Sequence, residues 1–302
     1  MAPFLYFKKN IYSICNEYDV VVSEANLRYL DRNLLILWPF RKFKWVAWGI
    51  GVSASYKNKF HKNRGLDRVR AFLFNRAEAL IFYSNYPIEL YAKLGVSRDK
   101  LFVAHNTVDI SSGEHDPIEK RKIIFVGTLY KEKNIFSLLH AYKKYVSCSA
   151  SPLPLSIIGD GEEFFEVERW IIENKLDGLV GLEGAIYDPS GLALHFREAY
   201  ACISPDQAGL SVLTSMGYGV PFITKRDAFT GGEIFNIEHM KNGVLYGEDD
   251  ELVSIFNEIE GNRDVFIELG ERALKHYRSS RTMDQMCESI ERAINFAARK
   301  SS

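Results

Sequence analysis

Three short segments hold the residue types that bind anions. The first, FVGTLYKEKN over 125–134, places Gly127 directly after an apolar run and Lys131 and Lys133 shortly behind it. A glycine at a strand's end lets backbone approach a ligand, and a lysine after it can reach a negative charge. By itself this segment reads more simply as a tight turn with a solvated lysine, the common state of that residue. The second, IIGDGEE over 157–163, sets Gly159 and Gly161 at the opening of a helix, where the first N–H groups have no helical acceptor and face outward. It lacks the G-x-G-x-x-G spacing of a dinucleotide site, and its acidic residues suit a helix N-terminus in any case. The third, ISPDQAGLSVLTSM over 203–216, carries Asp206, Gly209 and Thr214. The N–H groups of Leu210 and Ser211 fall at a helix start, a placement suited to phosphate. The plain alternative is a helix cap by Asp206 or Gln207 with Thr214 in the core. No metal is expected. Cys15, Cys148, Cys202 and Cys287 are far apart with no C-x-x-C, and the seven His are scattered. The acidic run 248–251 precedes a helix and reads as its cap and dipole partner.

The elements that must position these residues alternate along the chain. Nearly continuous apolar runs at 19–25, 43–51, 79–84 and 101–105 read as strands buried on both faces. Helices are expected at 60–76 and 88–94. A second series follows, with strands at 122–126, 155–158, 179–182, 201–203, 220–224 and 244–246. Its helices are expected at 132–146, 162–174, 192–199, 210–216, 251–258 and 264–278, and a last helix at 283–298. Strands alternating with helices predict an α/β protein with parallel sheets covered on both faces, whose ligands lie beyond the strands' carboxyl ends. The polar stretch 109–119 breaks this rhythm. The expected organisation is an amino-terminal unit 1–110, a linker 111–120, a second unit 121–281 and a final helix 282–302.

With 302 residues, 47% hydrophobic and 25% charged, the chain has an ordinary globular composition and room for two domains. The net charge of −1 hides a split: residues 1–110 hold 17 Lys and Arg against 9 Asp and Glu, and the remainder holds 21 against 30. Trp38, Phe40, Phe43 and Trp45 interleave with Arg41, Lys42 and Lys44, which are therefore candidates to face an anionic membrane. A second basic group, Lys57, Lys59, Lys62, Arg64, Arg68 and Arg70, follows. No helix-turn-helix, zinc or RNP pattern supports a nucleic-acid partner. No apolar run is long enough to span a bilayer. The start MAPFLYFKKN lacks the order of a secretory signal, and the cysteine usage suits a reducing compartment, so a cytoplasmic location, peripheral to the membrane's inner face, is expected.

The three turns, in this order, resemble the carboxy-terminal half of a GT-B glycosyltransferase of the retaining glycosyltransferase family 4, the group 1 glycosyltransferases. Members show G-R-L-x-x-E-K-G, I-G-x-G-x-E and E-G-F-G-L-x-x-L-E-A-M-x-x-G-x-P where this sequence has GTLYKEKN, IGDGEE and DQAGLSVLTSMGYGVP. TGGEIFNIEHMKNGVLY resembles the family's G-G-x-x-E-I-I-x-x-x-x-N-G-x-L, and AEALIFYSNYPIELYAKLGVSRDKLFVAHNTVD resembles the end of its amino-terminal domain. The likeness spans about residues 19 to 246. It implies two Rossmann-like domains, the amino-terminal one truncated, with the last helix crossing back to it. It also implies sugar transfer from a nucleotide-sugar, with retention, to a glycan or lipid-linked acceptor in surface polysaccharide synthesis, without metal or cofactor. Lys133 and Asp206 take the catalytic places. Gly127, Thr128, Lys131, Gly159, Gly161, Gly209, Leu210, Ser211 and Thr214 take the donor-binding ones. Four positions depart from the family. Thr128 replaces its diphosphate-binding Arg, Asp206 and Thr214 replace its Glu-x7-Glu pair, and Ile50 replaces the His of its G-H-G. The short amino-terminal half leaves a second expectation, a half-enzyme completed by a partner chain.

Overall fold

The computed structural model of the protein describes residues 4–6, 10–55, 59–110 and 118–300. Two compact units emerge, Met1–Asn106 with Met283–Ser302, and Thr107–Thr282. Residues 111–117 of the expected linker lie outside the described residues, as does Lys57.

The first unit runs α1 (Ile11–Cys15), β1 (Val20–Glu24), α2 (Leu30–Leu37), β2 (Lys44–Gly49), β3 (Ala54–Ser55), β4 (Lys59–Phe60), α3 (Asp67–Phe74), β5 (Ala79–Phe82), α4 (Tyr86–Lys93) and β6 (Leu101–Val103). Its parallel sheet has the order β1-β2-β5-β6. All four residues of β5 are buried, which is why its run is unbroken by polar residues. The helix expected over 60–76 starts only at Asp67. Before it, β3 and β4 pair antiparallel, and Lys59 and His61 hold left-handed backbone at φ 49° and 52°. A buried polar knot fixes this hairpin. The His61 ring nitrogens lie 2.7 Å from Asp67 Oδ2 and 2.7 Å from Tyr86 Oη, and Arg70 donates to Asp67 and to Ser53. Helices α1 and α2 were not legible as helices in the sequence.

The second unit runs β7 (Lys122–Val126), α5 (Ile135–Cys148), β8 (Leu155–Ile158), α6 (Phe164–Glu173), β9 (Val180–Gly184), α7 (Pro189–Arg197), β10 (Ala199–Ile203), β11 (Gln207–Ala208), α8 (Ser211–Gly217), β12 (Phe222–Lys225), β13 (Phe229–Thr230), β14 (Gly243–Tyr246), α9 (Glu251–Gly261) and α10 (Arg263–Ser280). Its six-stranded parallel sheet has the order β14-β12-β10-β7-β8-β9. The chain builds outward from β7 to β9, then restarts beside β7 at β10 and builds the other way. The strand order therefore reverses between β7 and β10, and in open parallel sheets ligands bind beyond the carboxyl ends of the strands at such a point. One face is covered by a core that includes Leu138, Tyr142, Tyr145 and Phe256. The other holds Val212, Met216, Ala273 and Tyr277.

Helix α11 (Met283–Arg299) belongs to the first unit. Its Ala293 and Ala297 are fully buried against Val46, Ala79, Ile81 and Ala104. Two small residues one turn apart let the helix lie close on the sheet.

Of the cations read as membrane-facing, Arg41 is a structural residue. It donates to Glu78 at 2.8 Å and to the carbonyls of Phe43 and Arg76, and its side chain is mostly buried. Lys42 is exposed and Lys44 half-buried at the start of β2. Phe43 and Trp45 lie in the core, whereas Trp38 and Phe40 are exposed.

Candidate active site

The loops after β7 and β10 flank the reversal point, and two side-chain bonds join them. Asn134 donates to Asp206 Oδ2 at 2.8 Å, and Tyr130 donates to Gln207 at 2.8 Å. Asn134 adopts left-handed backbone, φ 53° and ψ 45°. Asparagine tolerates that conformation better than most residues. It ends a single 3-10 turn, Lys131–Lys133, so the helix expected from residue 132 begins at Ile135 instead.

That turn sends Lys133 inward. The side chain is not solvated: the residue is only 7% exposed. A Cβ built on Gly127 would lie 2.8 Å from Lys133 Nζ, so the lysine's amine lies against the backbone of Gly127 at the strand end. No carboxylate pairs with it among the described residues. Burial pushes its pKa down to about 8, with Cys202 on β10 the neighbouring titratable group. Cys202 is itself pushed up to about 12 by complete burial. Lys131, in the same turn, points into solvent, and Thr128 is exposed.

Gly159 and Gly161 serve packing. A Cβ on Gly159 would lie 1.9 Å from Gly127 O, and one on Gly161 would lie 2.2 Å from Leu129 O. Their backbone lies against the first loop, and Leu129 N–H donates to Asp160 O at 2.9 Å. The outward-facing N–H groups read for this turn are instead engaged. Gly159 donates to Gly184 O and Gly161 to Asp160 Oδ1.

The third segment closes the other side. Asp206 is half-buried, and Leu210 caps α8 with its side chain exposed. Among the described residues, the N–H groups of Gly209, Leu210 and Ser211 have no backbone acceptor, and Ser211 Oγ is buried without a partner. Thr214 is half-buried, its hydroxyl donating to Leu210 O at 3.2 Å. The short pair β11–β13 ties this segment to the loop after β12, and Phe229 N–H donates to Asp206 O at 2.8 Å. There the carboxylate of buried Glu233 accepts from Gly231 N–H and Thr230, fixing the T-G-G-E turn. Lys225, at the end of β12, pairs with Asp249 at 3.1 Å. Burial would lower its pKa, but Asp249, Asp206 and Glu248 outweigh that and hold it raised. Sequence reasoning missed Tyr130, Asn134 and Lys225, and read Gln207 only as a helix cap rather than as the acceptor for Tyr130. Their roles depend on which loops meet, and no local signal marks them. The described residues contain no cluster of metal-ligating side chains.

A buried lysine with no acid paired to it among the described residues, and N–H groups without a backbone acceptor on the loop across the strand-order reversal, suit a phosphorylated ligand. The family described as glycosyl transferases group 1 matches residues 110–276, more than half of the chain and all three loops. The protein belongs to this glycosyltransferase family. The poly(glycerol-phosphate) alpha-glucosyltransferase of Bacillus subtilis is 26% identical over 215 residues, covering 64% of this chain. The chain spans only 31% of that relative's length. Among solved structures, HepE of Anabaena in complex with UDP superposes with a TM-score of 0.71 at 17% identity, covering 94% of this chain and 80% of that one. TarM of S. aureus, in complex with fondaparinux, alpha-GlcNAc-glycerol and UDP, superposes at 0.69 and 15% identity, covering 95% and 59%. The group 1 glycosyltransferase thus has the GT-B fold of these neighbours.

Proposed function

We propose that the protein transfers a hexosyl group from a nucleoside-diphosphate sugar to a glycan or lipid-linked acceptor in surface polysaccharide assembly, with retention at the anomeric carbon, as a family 4 enzyme. The observation that carries this reading is Lys133, a buried cation with no counter-charge paired to it among the described residues, held against Gly127 at the reversal point. Cleavage of the glycosyl–phosphate bond leaves negative charge on the departing diphosphate. Lys133 and the open N–H groups of Leu210 and Ser211 are pre-set to receive it, in a site where water screens little. Asp206, positioned by Asn134, accepts hydrogen bonds from sugar hydroxyls. Thr214 takes the ribose side, with a neutral oxygen where the family carries a carboxylate. Thr128 leaves one cation fewer on the diphosphate, so Lys133 bears more of that load. UDP in the HepE and TarM complexes supports the donor class. Titration calorimetry with UDP, paired with a transfer assay that reads the product's anomeric configuration, tests the reading. Absence of binding for every nucleoside diphosphate, or an inverted product, would overturn it.

One observation favours a second reading, a transferase unit completed by a partner chain. Strand β1 is an edge of its sheet, and beside it α1 and α2 leave a largely apolar cavity of about 370 Å³ lined by Ile11, Ile14, Val21, Leu35 and Phe43. Activity of the purified chain alone would eliminate it.

A further inference from the structure

We infer that the outer face of α3, with the loop before it, docks on a bilayer containing anionic lipid. The inference is independent of the donor site. Helix α3 turns Asp67, Ala71, Leu73 and Phe74 into the unit. Its other side leaves Leu66, Val69 and Phe72 48%, 50% and 66% exposed. Arg68 and Phe72 are spaced four apart on the helix, so they share one line along it, with Val69 beside them, and exposed Arg76 follows two residues past its end. The Arg76 guanidinium lies 4.8 Å from the centroid of the Phe72 ring. The preceding loop adds Lys62 and Arg64, both exposed.

What surrounds this stripe decides its partner. Between residues 59 and 76 the sole acid is Asp67, and it is buried and taken by His61 and Arg70. The exposed charges on the segment are therefore all positive. A solvated helix face gains nothing from an exposed Phe and Val. A polyanion would use the cations but leave the apolar stripe in water. A bilayer surface uses both, since apolar side chains enter the acyl boundary while Lys and Arg reach the headgroup phosphates. Another exposed apolar group, Leu34, Trp38 and Phe40, lacks this pattern, because its segment of chain carries Glu17, Asp19 and Asp31 as well as cations. The docking face is thus α3 rather than the Arg41, Lys42 and Lys44 group.

Sedimentation of the full chain with vesicles tests the inference. Binding is expected to an equimolar mixture of phosphatidylcholine and phosphatidylglycerol, not to phosphatidylcholine alone, with release by high salt. Each cation near such a surface multiplies partition by about five, so Arg64→Ser with Arg68→Ser lowers it about 25-fold. Val69→Ser with Phe72→Ser keeps every charge and lowers it about tenfold or more. All four side chains are exposed, and unchanged thermal melting shows that the variants remain folded. No binding to the anionic vesicles, or equal binding to both kinds, overturns the proposal. So does vesicle binding that survives loss of Val69 and Phe72 and is displaced by inorganic polyphosphate, which would make this face a polyanion site.

Discussion

Lys133 sits where a lysine is costly. Its folded pKa of about 8 lies below the unfolded value, so folding favours the neutral form. The penalty is full below pH ~8 and is relieved as pH rises through ~10, so stability of the free protein rises across that window. Lys133→Met is expected to raise the melting temperature of the free protein at pH 7, by a stability gain on the order of 2 kcal/mol. The same change should weaken diphosphate binding by about 30-fold or more. Calorimetry of both variants checks the pair, and equal affinities would remove Lys133 from the site. Because a diphosphate binds the charged form, affinity in the parent should fall as pH rises above ~8. Thr214 poses a different question. It is half-buried and bonds only its own helix, so Thr214→Glu can turn its carboxylate toward the candidate site. Melting should shift little, and diphosphate-sugar affinity should hold or improve. Collapse of the fold would return Thr214 to the core.

At the scale of elements, the second unit divides by strand polarity. Carboxyl ends carry the binding loops, and amino ends carry structural charge. Glu198 precedes β10 and pairs with Lys122 at 2.8 Å and with Arg121. Burial alone would raise its pKa, but the two cations outweigh it and hold it lowered. Its contribution is therefore present above the unfolded value near 4.3 and lost as pH falls through the lower folded value. Glu198→Gln should destabilise at pH 7, by about 1–3 kcal/mol in a denaturant titration, and leave nucleotide affinity unchanged. On the opposite end, Gly161→Ala sets a Cβ 2.2 Å from Leu129 O and must displace the loop that aims Lys133. Loss of both stability and affinity is expected. Gly178→Ala, with nothing within 4 Å of its Cβ, should change neither.

The chain forms two compact units and passes between them twice, with α11 returned to the first unit. Ala293→Asp puts an unpaired carboxylate among Val46, Ala79 and Ile81, at several kcal/mol. Hydrogen exchange should then rise through β2, β5 and β6, while nucleotide affinity, set by loops of the second unit, persists. Exchange that rises equally in both units would mean that the units do not fold as separate bodies.

The sequence by itself determined the α/β class, the parallel strands and the family, because buried parallel strands require unbroken apolar runs and the three loops are contiguous in the chain. It also placed Lys133 and Asp206 in loops that follow strands, whereas the pairing of those two strands side by side came from the tertiary structure. Only the tertiary structure decided their states. Lys133 is buried rather than solvated because Asn134 turns left-handed and reaches Asp206, 72 residues away. Gly159 and Gly161 are packing residues because the first loop presses on them. Arg41 is structural because the pairing of β2 with β5 brings Glu78 beside it at their amino ends. The helix expected over 60–76 gives way to a hairpin because His61 finds Asp67 and Tyr86. Each of these outcomes rests on a partner distant in sequence, and local composition holds no record of which distant residue a fold will bring near.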